Sequence, residues 1–270
     1  LCLFNYKAEF LNKKEETMDL GLKGQVALVT GAGSQIGFGK EIALSLAREG
    51  CAAIAVTDIN LDDAKLTSEA VKELGAKSIA IKADVTNKAD VDAMVKQVID
   101  EFGDIDILCN VAGAIMSAGP FEEQDPAIWE KEVALNLFNP MYVAAAVLPG
   151  MRKKGKGSIV NIGSGSSHMY THGVGVYAQA KGALDIFTKQ LATAEAPNKI
   201  RVNCVAPGPA PTNFIKAEDR DAVMEFLKKE LPLGRATSAQ DIAAATLFFA
   251  GDISIDISGQ VLHVSGASVM

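Results

Sequence analysis

Residues 25–58 read QVALVTGAGSQIGFGKEIALSLAREGCAAIAVTD. A short apolar run rich in β-branched residues enters a glycine-dense turn. An amphipathic stretch follows, closes at Gly50, and gives way to a second apolar run ending at Asp58. Runs of that length bounded by glycine read as strands, and the longer stretch between them as a helix, so the segment is a βαβ unit. The pattern continues outward: LDDAKLTSEAVKELG, SIAIKA, NKADVDAMVKQVIDEFG, DILCN. Strands alternating with helices predict an α/β fold, a doubly wound, mostly parallel sheet (Rossmann fold) of about seven strands with helices on both faces. Gly50, Gly75 and Gly103 each follow a helical pattern and are expected to stop it with positive φ. No linker-like shift in composition interrupts the pattern, so residues 18–270 are expected to form one domain.

The turn TGAGSQIGFG lets the backbone bend sharply and approach a pyrophosphate, whose charge would sit at the positive end of the following helix. A tight turn without a ligand is the competing reading. Asp58 lies nineteen residues beyond Gly39, at the end of the second strand. A carboxylate there accepts hydrogen bonds from ribose hydroxyls and repels a 2′-phosphate, which favours NAD over NADP. Lys40 is near enough to leave NADP open, and Asp58 could instead serve only as a turn or capping residue in TDIN.

Composition narrows the remaining classes. Net charge is −7 and no block of lysine or arginine stands out, which argues against a nucleic-acid or anionic-membrane surface. Cys2, Cys51, Cys109 and Cys204 are scattered without metal-ligand or redox spacing, so free thiols in a reducing compartment are expected and no metal. No apolar run reads as a membrane span of about 20 residues, and the N-terminus lacks the order of a secretory signal. A cytoplasmic protein is expected. Residues 1–17, LCLFNYKAEFLNKKEET, fit none of the alternation; they are read as an extension outside the fold, a mis-assigned start, with the natural reading beginning at Met18.

The chemistry is expected in residues 164–181, SGSSHMYTHGVGVYAQAK. Tyr177 and Lys181 are four apart, a spacing that puts both on one helix face about 6 Å apart. A lysine charge beside a phenol favours the phenolate, which makes tyrosine a usable acid or base. Ser164, at the end of an apolar run, could hold a substrate oxygen.

With the third strand ending at Ala83, Asp84 and Val85 and the fourth at Asn110, Val111, Ala112 and Gly113, the ordered set of glycine turn, Asp84, NVAG, Ser164, Tyr177, Lys181 and Pro207-Gly208 resembles the classical short-chain dehydrogenase/reductase family, from about Leu22 to Gly266. The resemblance implies that Tyr177 is the general acid/base, that Lys181 lowers its pKa and bonds the nicotinamide ribose, and that Ser164 orients the substrate oxygen. It implies that Asn136 completes a tetrad by holding a water through its carbonyl. Pro140, four residues on, has no N–H and leaves that carbonyl without its helical partner, although a simple kink is the alternative. Asp84 and Val85 would flank the adenine, Asn110 would steady the fourth strand beside Ala112 and Gly113, and Thr212, after Pro207 and Gly208, would bond the carboxamide. Asn203 reads as structural.

Two departures from the family's pattern stand out. Aligned from the strand, the second glycine of the turn falls on Gln35; aligned from the helix, Gly33, Gly37 and Gly39 match and two extra residues precede the pair. The cradle is therefore drawn from Gly31, Gly33, Gln35, Ile36 and Gly37. VLHVSGA replaces the Asp-Gly-Gly that closes the family's last strand, so Ser265 and Ala267 are expected at a subunit contact. The substrate would meet three segments near Tyr177, residues 114–120, 165–174 and 209 to about 231, and within or beside them Ser164, Tyr177, Ile115, Met116, His168, Met169 and Phe214. Implied is an NAD-dependent oxidoreductase moving a hydride between nicotinamide and a secondary alcohol or ketone, a small molecule that includes hydroxyacyl thioesters. An NADPH-dependent 3-oxoacyl thioester reductase and a silent NAD-binding subunit are the alternatives. Two long helices, 126–151 and 174–194, carry apolar residues over much of their surface, which with the family's habit implies a homotetramer.

Overall fold

The structure, a computed structural model, describes residues 19–117, 119–168, 174–212 and 220–269. The stretch 26–58 folds as its pattern requires: β1 (Val26–Thr30), α1 (Phe38–Arg48) and β2 (Ala53–Asp58). There follow α2 (Leu61–Glu73), β3 (Lys77–Lys82), α3 (Lys88–Phe102) and β4 (Ile107–Asn110). Helix α4 (Pro126–Val133) runs through a π turn (Ala134–Phe138) into α5 (Asn139–Lys154). The second half contains β5 (Gly157–Ile162), α6 (Tyr177–Glu195), β6 (Ile200–Pro207), α7 (Arg220–Glu230), α8 (Ala239–Ala250) and β7 (Val261–Val264).

Seven strands form one sheet in the order β3-β2-β1-β4-β5-β6-β7, every pair parallel. All six residues of β5 and all eight of β6 are buried, so these strands lack polar alternation because both faces are covered. One face packs Ile42 and Leu46 of α1, Val71 of α2 and Ile242 of α8; the other packs Met94 and Val98 of α3 with Val143, Val147 and Met151 of α5. Gly50, Gly75 and Gly103 take φ of 83°, 92° and 86°, the positive values expected of helix stops.

From β1 the chain winds toward β3 on one side and resumes at β4 on the other, which opens a crevice at the carboxyl ends of β1 and β4. Two strands end earlier than their sequence suggests. The β3 ladder stops at Lys82, and Asp84 then accepts from the Thr86 N–H and hydroxyl in a local turn. The β4 ladder stops at Asn110, because the N–H groups of Val111 and Ala112 turn to the Thr30 hydroxyl at 3.0 and 3.3 Å.

The helical run Pro126–Lys154, at 29 residues and with an 18-residue window of mean hydropathy 1.3, is by length and composition alone long and apolar enough to cross a membrane. Its inner face nonetheless lies in the core beneath the sheet, through Val143, Val147 and Met151.

Candidate active site

The crevice holds two adjoining cavities of about 690 and 410 Å³ that share Phe38, Val111, Gly113 and Thr212. Gly31, Gly37, Asp58, Asp84, Val85 and Ala112 line the larger; Ser164, Tyr177, Lys181, Pro207 and Gly208 line the smaller. Most of the residues singled out from the sequence therefore meet in one place.

The glycine turn is fixed at both of its ends. Gly31 has φ +62°, and a Cβ there would lie 2.6 Å from Ala112 Cα, so the strand end of the turn is fixed. A Cβ on Gly39 would lie 2.4 Å from the Gly31 carbonyl oxygen, so the first turn of α1 is fixed from the other side. The two extra residues are taken up between these contacts. Gly33 donates its N–H to Asp58 Oδ2 at 2.9 Å, which holds that carboxylate on the cavity rim. The Gln35 side chain turns away, donating to Gly33 O at 2.7 Å and toward α2 at Asp63 O and Thr67 Oγ1, while accepting from Lys40 at 2.6 Å. Ile36 is exposed, and neither side chain is among those lining the two cavities.

At the other end, Lys181 is buried and donates to the Ile162 carbonyl at 2.8 Å, with its Nζ 5.7 Å from the Tyr177 ring centre. Burial pulls the Lys181 pKa down to about 8. Burial also pushes the Tyr177 phenol up to about 12; a hydrogen bond with Ser164 opposes that rise and the Glu132 carboxylate adds to it. Desolvation is the largest influence on the phenol in the chain alone. Ser164 Oγ lies 2.8 Å from Ser166 Oγ and accepts from the Ser166 N–H at 3.2 Å.

Asn136 sits in the π turn, where the Asn139 N–H bonds the Ala134 carbonyl five residues back. Pro140 supplies no N–H to the Asn136 carbonyl, so the turn widens rather than kinks. The Asn136 side chain donates to Ala114 O at 2.8 Å and Glu132 O at 2.9 Å, and accepts weakly from Ala114 N at 3.3 Å. It pins the chain leaving β4. Asn110 is buried and donates to Asn161 Oδ1 at 2.9 Å, tying β4 to β5. Asn203 is structural: it donates to Ile257 O and accepts from Gln260 N. Among the described residues, no group of three or more His, Cys, Asp or Glu could hold a metal ion.

A family profile described as Enoyl-(Acyl carrier protein) reductase matches residues 31–267. The chain is 33% identical over 252 residues to 7alpha-hydroxysteroid dehydrogenase of Escherichia coli, covering 93% of this chain and 96% of that one. It belongs to the classical short-chain dehydrogenase/reductase family. The chain is 37% identical over 259 residues to the 3-oxoacyl-acyl-carrier-protein reductase of Vibrio cholerae, covering 93% of this chain and all of that one. Among solved structures it is similar to 7 alpha-hydroxysteroid dehydrogenase complexed with NADH and 7-oxo glycochenodeoxycholic acid, with a TM-score of 0.85, 32% identity and coverage of 93% and 96%. A gluconate 5-dehydrogenase from Burkholderia cenocepacia, in complex with NADP and tartrate, gives the same TM-score and identity at 92% and 96% coverage. The dehydrogenase is therefore an NAD(P)-dependent enzyme acting on CH–OH groups, transferring a hydride between nicotinamide and a secondary alcohol or its ketone.

Several substrate-side expectations change within this fold. Ile115 lines the smaller cavity, but Met116 lines the larger one. His168 lies outside both: its Nε2 is 3.0 Å from Asp185 Oδ2 and its ring stands edge-on to His263 at 4.5 Å. Met169 and Phe214, with Tyr170 and His172, lie outside the described residues. Ser265 packs inside the chain, where a Cβ on Gly208 would lie 2.7 Å from its Cα, and it bonds Val269. Ser166, Val223 and Leu227, which fall within the 165–174 and 209–231 segments expected to meet the substrate, line the smaller cavity, and so does Val269, which sequence reasoning missed. The Val223 and Leu227 spacing, four residues apart on a helix, is the one signal that pointed to a shared face.

Proposed function

We propose that the chain is a single-domain, NAD-dependent dehydrogenase of a small, largely apolar secondary alcohol, working as a cytoplasmic homotetramer. The observation that carries this reading is the meeting, at one topological switch point, of the Ser164, Tyr177 and Lys181 group with the Asp58 carboxylate at the far end of the same crevice. The cradle fits a dinucleotide: Gly31 leaves no room for a side chain, the turn opens at the N-terminus of α1, and the larger cavity runs from Asp58 to Gly113. Gly31, Gly33, Gly37, Asp58, Asp84, Val85, Ala112, Gly113, Pro207, Gly208 and Thr212 would hold it, with Lys181 on its ribose. When bound, the nicotinamide supplies the hydride acceptor or donor.

The chain's own residues handle the proton and the geometry. The Tyr177 phenol passes the proton to or from the substrate oxygen, Ser164 orients that oxygen, and the Asn136 carbonyl, freed by Pro140, holds water behind Lys181. Ile115, Val223, Leu227 and Val269 give the substrate end an apolar wall. Buried free thiols at Cys51, Cys109 and Cys204 support a reducing compartment. Phe138 and Met141, where the π turn enters α5, and Ile186 on α6 remain 42%, 37% and 55% exposed, which supports burial between subunits and predicts a tetramer by light scattering.

The reading is tested by assaying secondary alcohols and hydroxyacyl thioesters with NAD and NADP while following reduced-cofactor absorbance. Tyr177→Phe should lose about 10²–10⁴-fold in kcat while still binding NADH. Full turnover in that variant would refute the assignment. Identity to the Vibrio reductase favours a second reading, an NADPH-dependent 3-oxoacyl thioester reductase, which Asp58 opposes.

A further inference from the structure

Glu132 is fully buried, at 0% exposure, yet among the described residues no ion pair involves it. A buried carboxylate without a counter-charge is costly unless hydrogen bonds replace its water. Here the donors all come from two consecutive residues across the crevice wall. The N–H groups of Met116 and Ser117 donate to Oε1 at 2.8 and 3.4 Å, and the Ser117 hydroxyl makes a short hydrogen bond to Oε2. Glu132 stands one helical turn before Asn136, whose side chain pins Ala114. The segment 114–117 is thus held at its start by Asn136 and at its end by Glu132.

That segment is the partition of the crevice. Ala114 and Met116 face the larger cavity and Ile115 the smaller one, so its residues alternate between cofactor side and substrate side. Its far end is also keyed to the catalytic helix. Gly175, two residues before Tyr177, has φ +56°, and a Cβ there would lie 2.1 Å from Ser117 Oγ. A carboxylate that fixes Ser117 therefore fixes the gap between the partition and the turn from which α6 starts.

Resting on the dehydrogenase reading, we propose that Glu132 is a positioning residue that latches segment 114–117 and so sets how closely Ile115 confines the substrate alcohol against Tyr177. Glu132 lines neither cavity; it positions the segment through Met116 and Ser117, while its charge separately raises the Tyr177 phenol. A glutamine side chain at this position can accept from both N–H groups and donate to the Ser117 hydroxyl, so Glu132→Gln keeps the latch, whereas Glu132→Ala removes it.

The experiment compares wild type, Glu132→Gln, Glu132→Ala and Ser117→Ala, using a secondary alcohol that the wild type oxidises, NADH titration by fluorescence, and amide hydrogen exchange of the 112–120 region in the NADH-bound protein. Glu132→Ala should raise KM for the alcohol about tenfold, with kcat and the NADH Kd each within about threefold. Exchange should quicken in the 112–120 region and stay unchanged in β1 and β2. Glu132→Gln should restore KM and protection, and Ser117→Ala should fall between. Unchanged KM and exchange in Glu132→Ala would overturn the proposal. So would a parallel fall in kcat, NADH binding and Tm that Glu132→Gln fails to restore, since that marks a merely structural carboxylate. If the wild type binds NADH but oxidises no alcohol, the dehydrogenase reading fails and the substrate role with it, while exchange still reads the latch by itself.

Discussion

Replacing Asp58 by Asn isolates one charge at the rim of the larger cavity. The carboxylate accepts from the Gly33 N–H at 2.9 Å through one oxygen and from the Asn60 N–H at 3.0 Å through the other. Lys40, the cation that left NADP open, is spent on Gln35 at 2.6 Å, and among the described residues no ion pair involves Asp58. Its negative charge, opposite Lys82 on β3 but in no ion pair with it, stands where a ribose 2′-position would meet it. Two unit charges about 5 Å apart repel by roughly 1–3 kcal/mol for effective dielectric constants of about 80 down to 20. That corresponds to about 5- to 150-fold in the NAD/NADP ratio for each unit of phosphate charge. Asparagine keeps the shape and one acceptor, so the loss of one N–H partner costs only about 1 kcal/mol in stability. The assay is kcat/KM with NAD and with NADP, for both proteins, at low and high salt. Wild type should prefer NAD, Asp58→Asn should lose most of that preference, and salt should erode it in the wild type alone because the rim is open to screening. A wild type that prefers NADP, or a variant whose ratio moves less than about twofold, would refute the role of this charge.

Other expectations follow from buried or crowded positions. The Lys181 pKa falls from 10.5 to about 8 in the folded chain, so between those values the unfolded chain keeps a proton that the folded chain has released. Lys181 therefore contributes stability that grows with pH from about 8 to 10, against the opposite trend from the buried thiols Cys51, Cys109 and Cys204, whose pKa values are raised by burial, so the wild-type urea midpoint minus that of Lys181→Met should increase over this range. Gly39→Ala would place a methyl group 2.4 Å from the Gly31 carbonyl oxygen, which must shift with α1. A cost of about 1–3 kcal/mol and weaker NADH binding should follow, and an unchanged Tm would contradict the packing. Ser238 caps α8 by accepting from the Asp241 N–H at 3.1 Å within a capping box. Ser238→Ala should cost about 1 kcal/mol, a drop of about 2–4 °C in a thermal melt, with cofactor affinity unchanged.

The features legible in the sequence were those set by near neighbours along the chain. The period of apolar residues marked β1, α1 and β2, and the glycines at 50, 75 and 103 marked helix stops, because each depends on local φ/ψ or on one side of one element. Pro140 stood out for the same reason, since a missing N–H acts on the carbonyl four residues back, although the π turn found there was not foreseen. Asp58 was legible because the end of a strand puts its side chain at the sheet edge.

Where a polar side chain spends its hydrogen bonds was not legible. His168 is expected from the sequence to meet the substrate, yet it meets Asp185 on α6 and His263 on β7. Gln35 sits in the glycine turn, yet its amide goes to α2. Glu132 looks like one more charge on a surface helix, yet it is buried beneath Met116 and Ser117.

The sequence alone determined the parallel α/β sheet, the phosphate-type turn, the charge at the end of β2 and, through its likeness to a known family, the Ser164, Tyr177 and Lys181 group. Tertiary structure alone decided the partition of the crevice and the pKa directions of Tyr177 and Lys181. The reason is that desolvation and hydrogen-bond partners are properties of surroundings, and these surroundings are assembled from segments far apart in the chain.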